Sequence, residues 1–173
     1  QAGWVMQAGH PSSGNGNTSA DPEVLVASGG LAGATDTTGL RAPTVTSMRF
    51  VKGTTATTDL TAVDSTGRIL VEITYDEAVT VAGSPQVVVA NNNASGGGFG
   101  NYTLTYTATG STANRIRFEA TSQSLGNTDV LTLGGSNISL NSGTISDTAV
   151  GGTTLAASLV LSGISAVAVT IAS

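Results

Sequence analysis

The chain of 173 residues carries 23 glycines, no cysteine and a formal charge of −5, and only 10% of its residues are charged, against about 25% in an average globular domain. That length fits one compact domain plus an extension and excludes two ordinary domains; the lack of cysteine excludes a disulfide framework and a thiolate metal site. The six basic residues, Arg41, Arg49, Lys52, Arg68, Arg115 and Arg117, are spread along the sequence, so no basic cluster offers itself to phosphates, and neither nucleic acid nor an anionic membrane is an expected partner.

Residues 1–43 read as an extended N-terminal arm. Two short apolar patches, Trp4-Val5-Met6 and Val24-Leu25-Val26, are set in Gly-, Ser-, Asn- and Thr-rich sequence, and 11–19 has linker composition. Such a segment buries too little apolar surface to fold alone. Neighbouring chains are therefore expected to hold it, with Trp4, Val5, Met6, Val24, Leu25 and Val26 as anchors; the alternative is that it folds back on its own domain. The first residues also lack the basic-then-apolar pattern of a signal peptide.

From Thr44 to Ser173, short strands alternate with turns at the spacing of an all-β sandwich. Thr and Val favour pleated strands, and Gly and Asn favour the turns between them. Strands are predicted over 46–52, 69–75, 86–90, 102–107, 115–119, 129–133, 155–161 and 165–171. In 69–75, Ile69, Val71, Ile73 and Tyr75 share one face while Leu70, Glu72 and Thr74 share the other, which predicts one buried face and one solvated face. The alternation also sends Phe50, Tyr75, Tyr102, Tyr106 and Phe118 into the core. Turns are predicted at Ser65-Thr66-Gly67, Ala82-Gly83-Ser84-Pro85, Gly96-Gly97-Gly98, Gly134-Gly135-Ser136-Asn137 and Gly151-Gly152. The apolar stretch 155–173 is interrupted by Ser158, Ser162, Gly163, Ser165 and Thr170 and lacks basic flanks, so it reads as strands and not as a membrane helix.

Catalytic chemistry finds little footing. His10, the single histidine, sits in the arm, where a nucleophile–base hydrogen bond cannot be held. Asp76 and Glu77 are adjacent and would point to opposite faces of a strand, so they do not make an acid/base pair. With Asp147 or Asp64 they could offer oxygens to calcium, but no spaced acidic loop is present; the expectation is no metal and no cofactor. Gly96-Gly97-Gly98 lacks the Gly-Lys-Ser/Thr of a phosphate loop, and Phe99 beside it is the best candidate for a loop-tip contact. The glycosylation triplets at Asn101 and Asn137 are of a kind common by chance in so Asn- and Thr-rich a chain.

The run Ile69-Leu70-Val71-Glu72-Ile73-Thr74-Tyr75-Asp76-Glu77-Ala78-Val79-Thr80-Val81-Ala82-Gly83-Ser84-Pro85 resembles the opening of bacterial immunoglobulin-like repeats of the SwmB-like type, and Leu140-Asn141-Ser142-Gly143-Thr144-Ile145-Ser146-Asp147 resembles their closing Gly-x-Ile-x-Asp segment. The resemblance covers roughly 60–165. It departs after Asp147, where Thr148-Ala149-Val150-Gly151-Gly152 replaces the usual Gly-Asn turn, and the arm has no counterpart in the repeat. It implies an immunoglobulin-like β-sandwich acting as a structural or adhesive module, with no catalytic residues to carry over. Related sandwiches decorate tailed-phage particles. A solitary module with an arm therefore implies a non-enzymatic capsid decoration protein at the virion surface, partnered by a major capsid protein or by copies of itself. The alternative is an adhesin repeat or an extracellular filament subunit at a bacterial cell surface.

Overall fold

The computed structural model describes residues 3–6, 23–27, 42–53, 55–57, 59–61, 67–94, 100–147 and 154–172, with backbone alone for 3–6, 23–27 and 59–61. The chain divides into two compact units, one of Gln1–Arg41 with Gly151–Thr153 and the other of Ala42–Val150 with Thr154–Ser173. In the first, β1 (Gly3–Met6) pairs antiparallel with β2 (Glu23–Ala27). The second begins at Ala42, two residues ahead of the boundary expected from composition. Pro43 there is buried and its carbonyl accepts a hydrogen bond from the Ser158 amide at 2.7 Å.

The second unit is an all-β sandwich, and no helix occurs among the described residues. Its strands are β3 (Val45–Lys52), β4 (Thr55–Ala56), β5 (Asp59–Thr61), β6 (Ile69–Tyr75), β7 (Val79–Ala82), β8 (Gln86–Asn91), β9 (Tyr102–Thr107), β10 (Arg115–Ala120), β11 (Val130–Leu133), β12 (Thr144–Asp147) and β13 (Val167–Ala172). Nine of them form one sheet in the order β4-β3-β6-β10-β9-β8-β11-β13-β5, antiparallel except for β13 with β5; β7 and β12 pair separately. The sheet curls until β13 approaches β3. Curling turns the inward residues of both halves onto one core, which relieves the sheet of a solvated apolar face.

That core is filled by Met48 and Phe50 from β3, Ile69, Val71, Ile73 and Tyr75 from β6, Ile116 and Phe118 from β10, and Tyr102 and Leu104 from β9. Val87 and Val89, Leu131 and Leu133, and Val169 and Ile171 face them from β8, β11 and β13. Of the aromatics expected inside, Phe50, Tyr75, Tyr102 and Phe118 are buried, and Tyr106 packs partly buried at the edge. The Tyr75 hydroxyl donates to the Ser158 carbonyl at 3.1 Å and the Tyr102 hydroxyl to the Ser124 carbonyl at 2.7 Å, so neither burial leaves an orphaned polar group. The turn at Ala82-Gly83-Ser84-Pro85 closes with Gly83 at φ 74°, and a Cβ there would lie 2.7 Å from the Cα of Gly143. Both facts require glycine.

Two expectations are corrected. Residues 155–161 do not form a strand. Ala157 and Leu161 enter the core, but the backbone there bonds in turn to Asp147 and Ile145, to Pro43 and to Ile138. No single neighbour runs alongside it long enough to make a ladder. Strand β6 does not have a solvated face either: Leu70 and Glu72 are as buried as Val71 and Ile73. β6 is an interior strand between β3 and β10, and long side chains from those neighbours reach over its outer face.

Candidate functional site

The outer face of β3, β6 and β10 carries the main charged constellation among the described residues. Antiparallel register sets Arg49 opposite Glu72 on one side and Arg117 opposite Glu72 on the other, while Arg115 stands opposite Thr74. Residues two apart on a strand share a face, so three guanidinium groups converge on one carboxylate. The Glu72 Oε1 accepts from Arg49 Nε at 2.8 Å and Nη2 at 2.6 Å and lies 3.6 Å from Arg115 Nη1; Oε2 accepts from Arg117 Nε at 3.1 Å. Glu72 is fully enclosed and Arg117 nearly so, whereas the side chains of Arg49 and Arg115 remain 39% and 42% exposed.

Two further contacts fix Arg117. Its Nη1 donates to the Gly53 carbonyl at 3.3 Å, and its guanidinium lies against Gly110, where a Cβ would collide with it. Arg115 Nε reaches Thr112 Oγ1 at 3.5 Å. Three cations on one carboxylate leave two positive charges in excess, on a chain whose total charge is −5. The expectation that the basic residues stay dispersed is thereby overturned: positions 49, 115 and 117 meet because β3 and β10 flank β6. Arg49 also borders a recess of about 350 Å³ with Phe50, Ala56, Thr57, Val167 and Ala168, where β3, β4 and β13 come together.

A second, acidic group lies just past the end of β6. The Asp76 carboxylate accepts from the Thr44 amide at 2.8 Å and the Thr44 hydroxyl at 2.6 Å. Burial alone would raise its pKa, but the Thr44 bonds and the backbone amides of Asp76 and Glu77 outweigh it and hold the carboxyl below its ordinary range. Glu77 is exposed and is pushed the other way, by partial desolvation first and then by the negative charges of Asp76 and Asp147. Asp147 is buried and accepts from the Leu155 amide at 2.9 Å; Asp129, also buried, accepts from Asn91 at 3.0 Å. Among the described residues no group of three or more acidic or histidine side chains is placed to hold a metal ion.

These shifts fix a sign. The raised pKa of Glu77 means that its charged form is disfavoured by folding, so the chain loses stability as pH rises through that pKa. Glu77→Gln is expected to stabilise the fold at neutral pH by up to about 0.5 kcal/mol, the usual range of a surface change. The gain should vanish near pH 3, where the wild-type carboxyl is neutral. Urea unfolding at the two pH values checks this; destabilisation at neutral pH would contradict it.

Of the anchors chosen from sequence, Trp4, Val5 and Met6 lie on β1 and Val24, Leu25 and Val26 on β2. Trp4 faces Val26 and Val5 faces Val24, and the irregular step between them leaves Leu25 as the extra residue. The two patches are thus brought together as one antiparallel pair; their side chains lie outside the described residues, as do His10, Asp64, Gly96-Gly97-Gly98 and Phe99. No helix among the described residues is long and apolar enough to cross a membrane. The chain matches no protein-family model, no curated protein and no solved structure.

Proposed function

We propose that this chain is a non-enzymatic structural protein, a capsid decoration protein that attaches to a phage virion through its N-terminal arm and displays an immunoglobulin-like sandwich outward. The observation that carries the reading is the division of the chain into two units: a nine-stranded sheet with its own core, and a separate unit whose strands β1 and β2 pair with each other. A ribbon of two strands, four and five residues long, is marginally stable at best in water. Its outer edges carry backbone donors and acceptors suited to extending a neighbour's sheet. Apolar side chains such as Trp4 and Leu25 would add burial at about 25 cal/mol per Å², and many identical weak contacts on a particle would sum to firm attachment.

Co-sedimentation with purified virions tests this. The full chain is expected to pellet with particles, and a chain lacking residues 1–41 is expected to stay in the supernatant. Equal binding by the shortened chain would refute attachment through the arm. Pelleting with bacterial cells but not with particles would favour the adhesin or filament reading, which the resemblance to SwmB-like repeats equally supports.

A further inference from the structure

We propose that the exposed arginine pair Arg49 and Arg115 receives the acidic surface around Glu77 of a second copy of this chain, in a reciprocal two-fold contact. The inference takes its setting from the assembly reading above and adds the surface and the partner.

Three observations lead to it. First, the arginine cluster is built and unbalanced. Glu72 is saturated by guanidinium groups, yet Arg49 and Arg115 still present donors to solvent at about two-fifths exposure. Glu72 holds both from beneath, so their side-chain entropy is partly spent before any partner arrives. Second, the chain carries the complementary charge. Glu77 is exposed beside the negative charges of Asp76 and Asp147, and among the described residues no ion pair joins it to a cation. Third, the two patches are neighbours along β6. Arg115 stands opposite Thr74 of β6, and Glu77 lies three residues beyond Thr74, just past the end of the strand. When opposite patches lie side by side, a two-fold axis between two copies sets each on the other's complement, giving two equal contacts from one surface.

The observations favour a protein carboxylate over a polyanion. Half of the chain's basic residues are already in this cluster, and the net charge of −5 would repel a nucleic acid or an anionic membrane. The recess beside Arg49 also gives an incoming side chain a partly desolvated seat, where a charge pair is stronger than in open solvent.

Sedimentation equilibrium of the full chain tests the contact in about 0.01 M and about 1 M NaCl, between which the screening length falls from about 30 Å to about 3 Å. The expected result is a monomer–dimer equilibrium at low salt that weakens at least tenfold at high salt. R49Q/R115Q and Glu77→Lys should each weaken it at least tenfold at low salt. Mixing the two variants should restore dimers, because the mixed pair regains one intact contact. Far-UV circular dichroism and a thermal melt confirm folding. Should the double variant not fold, Arg115→Gln alone serves, since Arg49 and Arg117 still hold Glu72. A wild-type chain that is monomeric at low salt overturns the proposal, as does association that survives 1 M NaCl or either variant. Capture of a soluble polyphosphate by wild type, without dimers, overturns it in favour of a polyanion site. A chain that stays monomeric yet pellets with virions would sink this inference and leave the arm reading intact.

Discussion

Glu72→Ala is expected to destabilise the fold by about 3–5 kcal/mol, the cost of removing one partner from a buried ionic cluster. The substitution leaves three cations facing one another, and Arg117, whose side chain is 10% exposed, is the one that cannot retreat to water. Arg49 and Arg115 can swing outward, so the penalty should reside mainly in Arg117. A double-mutant cycle tests that assignment. If Arg117 carries the penalty, adding Arg117→Met to Glu72→Ala should recover part of the loss, because the unpaired buried charge is then gone. Chemical denaturation with an unchanged m-value would report both effects. A loss within 0.5 kcal/mol, the range of ordinary surface changes, would mean that Glu72 is effectively hydrated and the cluster carries no stability.

Phe118→Ala should be comparably severe, at about 3–5 kcal/mol. Phe118 is fully buried on β10, flanked in register by Val71 of β6 and Tyr106 of β9. The Tyr106 ring meets it edge-on, with centroids 6.3 Å apart and planes at 73°, an arrangement worth something beyond burial alone. Both neighbours belong to interior strands of the sheet, each paired on both sides, so the cavity cannot close by a strand moving in. Phe118→Leu keeps most of the volume and should cost less than about 1.5 kcal/mol. Equal losses for the two variants would indicate that the site relaxes freely and that the curl of the sheet is not locked by this residue.

The two residues also mark what the sequence made legible. Phe118 alternates with Arg117 and Glu119, and that alternation alone places it inside; the same rule sent Tyr102 of β9 and Phe50 of β3 inward, and both are buried. It failed at Glu72, because period-two patterning assigns a charged position to solvent, whereas here the solvent is replaced by arginines from both neighbouring strands. Which strands flank β6 is a matter of sheet order, and no local pattern encodes it. The arginine cluster was invisible for the same reason: 66 positions separate Arg49 from Arg115, and only the β3-β6-β10 order closes that distance. Segment 155–161 misled in the opposite direction. It has the aliphatic content of a strand, and Leu161 is fully buried, but its backbone partners belong to several segments. The parallel pairing of β13 with β5 gave no sequence signal, since a three-residue strand is too short for a period. The acidic group was half legible: adjacency of Asp76 and Glu77 was plain, but their opposite shifts depend on the Thr44 bonds that hold Asp76 down and on the partial desolvation that, ahead of the charges of Asp76 and Asp147, pushes Glu77 up.

Thermal unfolding of a chain lacking residues 1–41, beside the full chain, tests most directly whether the arm is separable from the sandwich it serves. A single cooperative transition is expected in both, with midpoints within about 2 °C, the shift that a few tenths of a kcal/mol would cause in a domain of this size. A shortened chain that fails to fold, or melts lower by about 10 °C or more, would contradict it: the first unit would then be part of what holds the sandwich together.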